Sequence, residues 1–199
     1  MEHAKILFKI QIGLHEIESK MSLLNIIIKD LHAYKSKYNQ NGEYKQTSVG
    51  VIFSLLVPEF AVVARFRVYN HLNKSRFQLL KLFAKLIYVR TIKKYSCDIH
   101  PEASIGIPLK LGHAIDIVIG PGASIGQNCY IFNGVSIGNK YPGGENKMPS
   151  IGDNVIIGTG AKVLGGIKVD DRVKIGALTL VISDVTEGTV AVGVPYRKT

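Results

Sequence analysis

The sequence predicts a mainly β protein, with a parallel β-helix in its C-terminal half and a basic helical region before it. Three observations support this prediction. An aliphatic residue recurs every six positions from Ile99 onward, and 17 of the 20 glycines lie after residue 97. The net charge of +10 lies in the other half, where residues 1–97 hold 16 Lys and Arg against six Asp and Glu. We therefore expect a helical domain over 1–96 and a β-helix domain over 97–199.

Composition excludes several classes of protein. With 199 residues, of which 46% are hydrophobic and 20% charged, the chain can bury a substantial core. Collagen-like, disordered and disulfide-framework proteins have different compositions. The chain has two cysteines, lacks the pattern of a signal peptide and has no apolar run long enough to cross a bilayer. We expect a cytoplasmic protein with reduced thiols and no membrane-spanning segment.

The N-terminal elements are predicted to be helices. Residues 1–35 mix apolar and charged positions without proline, which predicts two helices before a polar break at 39–43. A further helix is expected from Pro58 to a turn near Asn73–Lys74, and another over Arg76–Lys94. In this last helix apolar residues recur at helical spacing between basic ones; the apolar residues are Leu79, Leu80, Leu82, Phe83, Leu86 and Ile87.

The basic helix over 76–94 has two interpretations of similar weight. It can pack on the end of the β-helix with its charges in solvent. It can also contact anionic lipid head groups, since each Lys or Arg near such a surface contributes about 1 kcal/mol. The sequence has no recognised nucleic-acid motif and little interleaving of aromatic with basic residues, so we expect no nucleic-acid partner. Peripheral attachment to the inner face of the cytoplasmic membrane is the functional hypothesis.

The C-terminal half consists of six-residue units. A six-residue period fits neither an α-helix nor a hairpin-built sheet. One unit can supply a short strand and a corner, three units close a triangular coil, and the coils stack as parallel strands about 4.8 Å apart. Thirteen units make a little over four coils. The aliphatic positions are Ile99, Ile105, Leu111, Ile119, Ile125, Ile131, Ile137, Ile151, Ile157, Val163, Val169, Ile175 and Val181.

Several motifs over residues 50–197 resemble the hexapeptide-repeat acyltransferases. Asp98-Ile-His-Pro-Glu-Ala-Ser-Ile-Gly106, Gly112-His113, Ile157-Gly-Thr-Gly-Ala-Lys162 and Gly193-Val-Pro195 are similar to serine acetyltransferases and their polysaccharide-modifying relatives. The resemblance, and not the spacing, implies that the β-helix is left-handed, because crossovers between parallel strands are generally right-handed.

Residues 139–150 interrupt the repeat. This polar segment rich in Gly and Pro has no aliphatic position in register, so it must leave the coil as a loop. One interpretation is a disordered insertion. In the resembling enzymes the matching loop projects over a site between subunits, which implies a homotrimer here, or a dimer of trimers if the N-terminal helices pair.

His113 is the candidate general base. A histidine side chain has an unperturbed pKa of about 6.5 and can accept the proton of an acceptor hydroxyl near neutral pH. His113 follows a two-residue slip in the repeat, where a side chain can be re-aimed, whereas His100 is expected to be structural. The resembling enzymes pair the histidine with an aspartate 15 residues earlier, which here is Asp98. Asp116 is the rival carboxylate and is expected to lie on the exterior.

Acetyl-CoA as co-substrate is implied by the resemblance alone. Gly160, Ala161 and Ala177 match the positions where the family holds the pantetheine arm, and they can equally be ordinary corners of the coil. Lys162 and Arg197 could meet the nucleotide phosphates. We expect no metal ion, because the three histidine ligands of the carbonic anhydrases of this fold are not present at their spacing.

The acceptor is predicted from two departures from the serine acetyltransferases. They carry Asp before the catalytic histidine and Arg-His-Pro-Lys in the loop, where this chain has Gly112 and Lys147-Met-Pro-Ser150. Lys147, Met148 and Asn133 are predicted to line an acceptor site for a sugar hydroxyl of capsule, exopolysaccharide or O-antigen. Serine O-acetylation in cysteine biosynthesis is the alternative. A non-catalytic scaffold is a third hypothesis, which an acetyl-CoA hydrolysis assay would separate from an enzyme.

Overall fold

The helical region lies at the start of the described structure. The computed structural model describes residues 23–34, 57–141 and 147–195. Residues 23–34 form helix α1, and α2 (Pro58–Asn73) and α3 (Gln78–Tyr95) follow it. The helices predicted from Pro58 and over 76–94 are confirmed. Most of the two helices predicted over 1–35, and the polar break at 39–43, lie outside the described residues.

Local sequence explains the helix ends. α2 begins with Pro58, whose fixed φ and missing N–H suit the first turn of a helix. Ser96 follows the last residue of α3 as its C-cap. It adopts a left-handed conformation with φ of +52° and so stops the helix. The first strand begins directly afterwards, at Cys97.

Fourteen short strands follow α3. All strand pairs are parallel, and each strand has two to four residues. The strands are β1 (Cys97–Ile99), β2 (Ser104–Ile105), β3 (Leu109–Gly112), β4 (Ile117–Ile119), β5 (Ser124–Ile125), β6 (Cys129–Phe132), β7 (Ser136–Gly138), β8 (Ser150–Ile151), β9 (Ile156–Ile157), β10 (Lys162–Leu164), β11 (Lys168–Val169), β12 (Lys174–Ile175), β13 (Leu180–Val181) and β14 (Val190–Ala191).

The strands form the three faces of a β-helix. The first sheet has the order β1-β4-β7-β10-β13, the second β11-β8-β5-β2 and the third β14-β12-β9-β6-β3. Ile119 pairs with Ile137, which follows it in the sequence by three six-residue units. Ile99 pairs with Ile119, which lies two positions beyond three such units, so this pairing accommodates the two-residue slip. The predicted parallel β-helix of about four coils is confirmed, and its left-handedness stays a prediction.

The interior of the β-helix is the predicted aliphatic series. All thirteen positions of the six-residue repeat are buried, with the largest exposed fraction, 9%, at Ile105. One hydrophobic cluster runs from this interior into the helices and includes Phe60, Phe66 and Tyr69 of α2. The division into domains at residues 96 and 97 stays a prediction.

Buried polar contacts attach the helices to the first coil. The Arg67 guanidinium donates to the Asp30 carboxylate, with Nε 2.8 Å from Oδ2, and to the carbonyl oxygens of Ile105 and Gly106 at 2.7 and 2.8 Å. Asp30 also accepts the backbone N–H of Leu109 at 2.8 Å. Both side chains are buried, and their charges are compensated by each other and by backbone groups.

α3 packs on α2 and β1 by one side and exposes the other. Ala84 and Thr91 are buried, whereas a stripe of apolar side chains is exposed. We call this stripe the α3 face; it comprises Phe77, Leu79, Leu82, Phe83 and Leu86, which are 47–67% exposed. Among the described residues, no helix has both the length and the apolar character needed to cross a bilayer.

Candidate active site

His113 lies at a corner of the β-helix where the third sheet passes to the first. The corner segments 113–116, 133–135, 158–161 and 176–179 stack on each other there, and we call them the His113 edge. His113 adopts φ of +60°, a conformation that few residues other than glycine adopt. The two-residue slip turns the imidazole outward, and the side chain is 78% exposed.

Backbone hydrogen bonds hold the loop around His113. Asn133 donates its N–H to the Gly112 carbonyl at 2.9 Å, and Gly134 donates to the Ile115 carbonyl at 3.0 Å. On the other side, Asp116 donates its N–H to the Ser96 carbonyl at 2.8 Å. Hydrogen bonds from neighbouring segments on both sides therefore fix the backbone around His113.

Glu59 supplies a carboxylate beside His113. Its Oε1 lies 3.8 Å from His113 Nδ1, an ion-pair distance that is too long for a hydrogen bond. The Glu59 side chain is only 17% exposed and stands in the first turn of α2, where the helix dipole favours an anion. Glu59 was not among the residues predicted from the sequence. It lies far before His113 in the chain and outside the repeat, so no local pattern connects the two residues.

Asp98 points outward from β1 and is held by α3. Tyr88 donates its hydroxyl to Asp98 Oδ1 at 2.5 Å. Burial, followed by this hydrogen bond, raises the pKa of Tyr88, so the tyrosine stays a donor. In the described part of the chain, no hydrogen bond or ion pair joins Asp98 to His113. The predicted pairing of these two residues stays a prediction.

The other residues weighed as candidates have separate surroundings. His100 contacts the Tyr88 ring edge-on at 6.0 Å, and its Nδ1 accepts the Glu102 N–H at 3.2 Å. Asp116 is exposed on the His113 edge, near Gly134. The described residues contain no group of three or more His, Cys, Asp or Glu side chains that could hold a metal ion.

Two aromatic rings occupy the space beside Gly112. A Cβ atom at Gly112 would lie 2.8 Å from Cδ1 of Phe132 and 2.9 Å from Cε1 of Tyr130. The two rings pack against each other, with centroids 4.6 Å apart. They also line a groove of about 390 Å³ on the third sheet, together with Lys110, Asn128, Asn154 and Ile156. A larger residue at position 112 therefore requires these rings to move.

The predicted acceptor residues lie on two different edges. Asn133 stands on the His113 edge next to Gly112, and its Oδ1 accepts the Thr159 hydroxyl at 3.2 Å. Lys147 and Met148 lie where the first sheet passes to the second. A Cβ at Gly166 would lie 2.5 Å from the Lys147 Cβ, and one at Gly120 would lie 3.2 Å from Cε of Met148. Within one chain the structure does not bring these two residues to His113.

The predicted CoA residues follow His113 along its edge. Gly160, with φ of +71°, is one of the corner glycines, and a Cβ there would lie 2.7 Å from Cδ2 of Leu178. Ala161 is fully buried, and its N–H and carbonyl are bonded to Gly158 and Ser136, whereas Ala177 is exposed. Lys162 Nζ donates to the Gly134 carbonyl at 2.7 Å.

Lys162 also donates to the Ser136 hydroxyl at 2.9 Å, so its ammonium is bound to the β-helix itself. Arg197, the other residue predicted to meet the phosphates, lies outside the described residues.

The class of protein follows from the coil and from comparison with known families. Residues 148–183 match the family described as bacterial transferase hexapeptide (six repeats). This match covers the coils after the loop, where the structure shows the same short strands in six-residue units as before it. The fold and the match define a hexapeptide-repeat transferase.

Comparison with individual proteins identifies the family within this class of transferases. The serine acetyltransferase of Helicobacter pylori is 37% identical over 140 residues, which are 70% of this chain and 80% of that protein. The chain therefore belongs to the serine acetyltransferase family. The serine acetyltransferase of Buchnera aphidicola subsp. Schizaphis graminum is 34% identical over 181 residues, or 90% of this chain. The chain spans only 66% of that protein and 61% of a second Buchnera relative.

Two solved structures that are similar to this chain are also serine acetyltransferases. Serine acetyltransferase from Brucella abortus in complex with coenzyme A has a TM-score of 0.77 at 30% identity, covering 91% of this chain and 69% of that one. The Neisseria gonorrhoeae serine acetyltransferase in complex with serine has a TM-score of 0.75 at 30% identity, covering 92% and 71%.

These comparisons correct the prediction of a cell-surface sugar as acceptor. The relatives that match, at 34–37% identity over most of this chain, are named serine acetyltransferases, so the preference for polysaccharide biosynthesis is wrong. The prediction treated the lack of a carboxylate at Gly112 as the lack of any anion near the base. The structure places the Glu59 carboxylate beside His113 instead.

Proposed function

We propose that the protein is an acetyl-CoA-dependent serine O-acetyltransferase of cysteine biosynthesis. The observation that carries this proposal is the 37% identity to a serine acetyltransferase across 80% of that relative's length. The exposed imidazole of His113, next to a partly buried carboxylate, supports it chemically. An acetyl transfer from a thioester to a hydroxyl needs a base that accepts the hydroxyl proton, and His113 can act as this base.

His113 is the general base in this proposal. Its neutral imidazole takes the proton from the serine hydroxyl as the hydroxyl oxygen bonds to the acetyl carbon. The protonated imidazole then gives that proton to the sulfur that leaves when the C–S bond breaks, so the base is regenerated. Acetyl-CoA supplies the activated acetyl group as a thioester. A positioned base of this kind contributes about 10²–10⁴-fold to turnover.

Asp98 is the proposed carboxylate partner of the catalytic histidine, as in the resembling enzymes. Its contact in this chain is with Tyr88, so we propose that it acts after a rearrangement of that hydrogen bond or through the arrangement of the assembled protein. A carboxylate in this role stabilises the imidazolium and fixes the tautomer.

A homotrimer would complete the acceptor site. Lys147 and Met148 leave the β-helix at a different edge from His113, so in one chain they do not face it. In a trimer the loop of one subunit could reach the His113 edge of the next, where Asn133 already stands. We propose that Lys147 then meets the serine carboxylate. Sedimentation should show a trimer or a dimer of trimers, and a fully active monomer would contradict this.

The His113 edge fits an extended co-substrate. Gly134 and Gly160 have positive φ and no side chains, and a Cβ at Gly134 would lie 3.3 Å from the Gly160 Cα, so backbone is stacked closely there. We propose that Gly160 and Ala177 line the path of acetyl-CoA by their backbone groups, while Ala161 stays buried in the same corner. Lys162 and Arg197 are the proposed phosphate contacts.

The test is turnover with defined acceptors. With saturating acetyl-CoA, the protein should release CoA thiol in the presence of L-serine, with saturation at sub-millimolar concentrations. His113→Ala should lower turnover by about 10²-fold or more, and Asp98→Asn should cost less. His32→Ala is the matched control, because His32 is an exposed histidine on α1. Near-normal turnover of a folded His113→Ala protein contradicts the assignment of the base.

The α3 face supports a second proposal, that the protein attaches to the inner face of the cytoplasmic membrane. α3 has no acidic residue, and basic residues flank its exposed apolar stripe. Such a surface suits anionic lipid, because apolar side chains enter the interface while Lys and Arg meet the head groups. The basic residues are Arg76, Lys81, Lys85, Arg90, Lys93 and Lys94.

Vesicle sedimentation tests the membrane proposal. Binding to vesicles with anionic lipid should weaken as salt shortens the Debye length from about 10 Å at 0.1 M to about 3 Å at 1 M. The pair Leu82→Ser and Phe83→Ser should weaken binding, and Lys168→Glu on the β-helix should not. Equal binding to neutral and anionic vesicles, or binding to neither, contradicts the proposal.

A further inference from the structure

We propose that Glu59 binds the ammonium group of the acceptor and makes the site selective for an amino acid. This inference rests on the proposed function, because it assigns one of the two charges of serine to a residue of this chain. It identifies a specificity-determining residue outside the β-helix and outside the motifs that mark the family in the sequence.

In the described part of the chain, no Lys or Arg lies at ion-pair distance from the Glu59 carboxylate. Its side chain is 17% exposed, and His113 at 3.8 Å is its ion-pair partner in the part of the chain that the structure describes. Histidine must be neutral to act as a base, so at that stage of the reaction it does not neutralise Glu59. A largely desolvated carboxylate is costly without a cation beside it. A substrate ammonium would supply that cation.

The dimensions of serine match this arrangement. Its hydroxyl oxygen and its ammonium nitrogen stand on neighbouring carbons, about 3 Å apart in a gauche conformation. A hydroxyl that donates to Nδ1 of His113 thus carries the ammonium within reach of Glu59, whose Oε1 lies 3.8 Å from that nitrogen. The expected N–H···O distance is about 2.7–2.9 Å, a charge-assisted hydrogen bond.

The surroundings of Gly112 explain why the carboxylate comes from α2. The rings of Phe132 and Tyr130 fill the space that a side chain at position 112 would need, so an aspartate before His113 does not fit here. Asp98 is engaged by Tyr88, and Asp116 is exposed to solvent. Glu59 is the carboxylate that the described structure places at ion-pair distance from the proposed base.

Two acceptors separate recognition of the ammonium from an effect on the base. L-Serine carries the ammonium, whereas 3-hydroxypropionate has the same hydroxyl and carboxylate without it. Glu59→Gln should raise the KM for L-serine by about 10- to 100-fold and leave kcat within about threefold. The KM for 3-hydroxypropionate should stay within about twofold. Glu59→Asp, which keeps the charge, should give an intermediate KM for L-serine.

The controls make each outcome decisive. Glu102→Gln removes an exposed carboxylate of the first coil and should change neither KM. Binding of L-serine without acetyl-CoA, measured by calorimetry, should weaken in Glu59→Gln by the same factor as KM rises. An equal loss of kcat on both acceptors, or an unchanged KM for L-serine, overturns the role of Glu59 while the proposed function stands. A wild-type protein that does not acetylate L-serine overturns both.

Discussion

In the β-helix each coil repeats the contacts of the coil beside it, whereas the helices are attached by contacts that occur once. The thirteen aliphatic positions share the same buried environment, and parallel backbone ladders join successive coils along three faces. The helices share a hydrophobic cluster with the β-helix and are also attached by single polar contacts. Among these, Arg67 and Asp30 together bond to three backbone groups of the first coil. The difference teaches that many equivalent contacts stabilise one region, whereas the contacts that attach the other, such as this ion pair, are not repeated.

The largest expected effect comes from removing one half of the buried ion pair. Arg67→Met leaves the Asp30 carboxylate buried without its cation, and we expect the free energy of unfolding to fall by about 3–5 kcal/mol. Urea denaturation followed by circular dichroism measures this change. Asp30→Leu combined with Arg67→Met should recover only part of the loss, because the Leu109 N–H and two carbonyls stay unpaired. A loss below about 1 kcal/mol for Arg67→Met contradicts a stabilising role of this ion pair in the attachment.

The next effect compares an interior residue with the α3 face. Ile137 is fully buried in the β-helix, and Ile137→Ala should cost about 2–5 kcal/mol of unfolding free energy. Leu82 is 53% exposed, and Leu82→Ala should change the free energy by less than about 0.5 kcal/mol. Both variants remove apolar atoms from one aliphatic side chain, so they form a matched pair. An equal cost at Leu82 would show that the α3 face is packed in solution.

A pair of glycines tests how closely the coils stack. A Cβ at Gly126 would lie 2.6 Å from the Gly152 carbonyl carbon in the next coil, whereas a Cβ at Gly138 would meet nothing within 4 Å. Gly126→Ala should therefore cost about 1–3 kcal/mol by overpacking. Gly138→Ala should be nearly neutral in the same thermal unfolding experiment. If both substitutions behave alike, close stacking at that corner does not limit the β-helix.

The smallest effect concerns two thiols that report on the two regions separately. Cys97 lies where α3 meets β1 and Cys129 lies inside the β-helix; both are buried. Burial raises the pKa of Cys97, and it raises that of Cys129 to about 11, so little thiolate forms at pH 8. Labelling of both thiols by iodoacetamide should be slow in the native protein at pH 8, and that of Cys129 should rise only as the pH approaches 11.

Mild denaturant sharpens this comparison. If the helices detach before the coils separate, Cys97 should be labelled at a lower urea concentration than Cys129, as peptide mass spectrometry would show. Simultaneous labelling of both thiols would mean that the two regions unfold as one cooperative unit.

The fold could be predicted because its periodicity is local. Burying one side chain in every six-residue unit leaves a signal that survives the 139–150 interruption, and the two-residue slip appears in the structure as the longer offset between the paired Ile99 and Ile119. α2 and α3 were equally accessible to prediction, from Pro58 at a helix start and from helical spacing over 76–94. Their attachment was not, because Asp30 and Arg67 are 37 residues apart and belong to no repeat.

In the candidate site, too, some features could be predicted from the sequence and others could not. The sequence by itself determined the β-helix, the position of His113 at the slip, and the family resemblance that points to acetyl transfer. Only the tertiary structure decided which groups surround that histidine: Glu59 comes to it from the start of α2, Phe132 and Tyr130 close the space at Gly112, and Tyr88 engages Asp98. The physical reason is that a repeat imposes its pattern every few residues, whereas a contact between distant side chains arises only when packing brings their elements together.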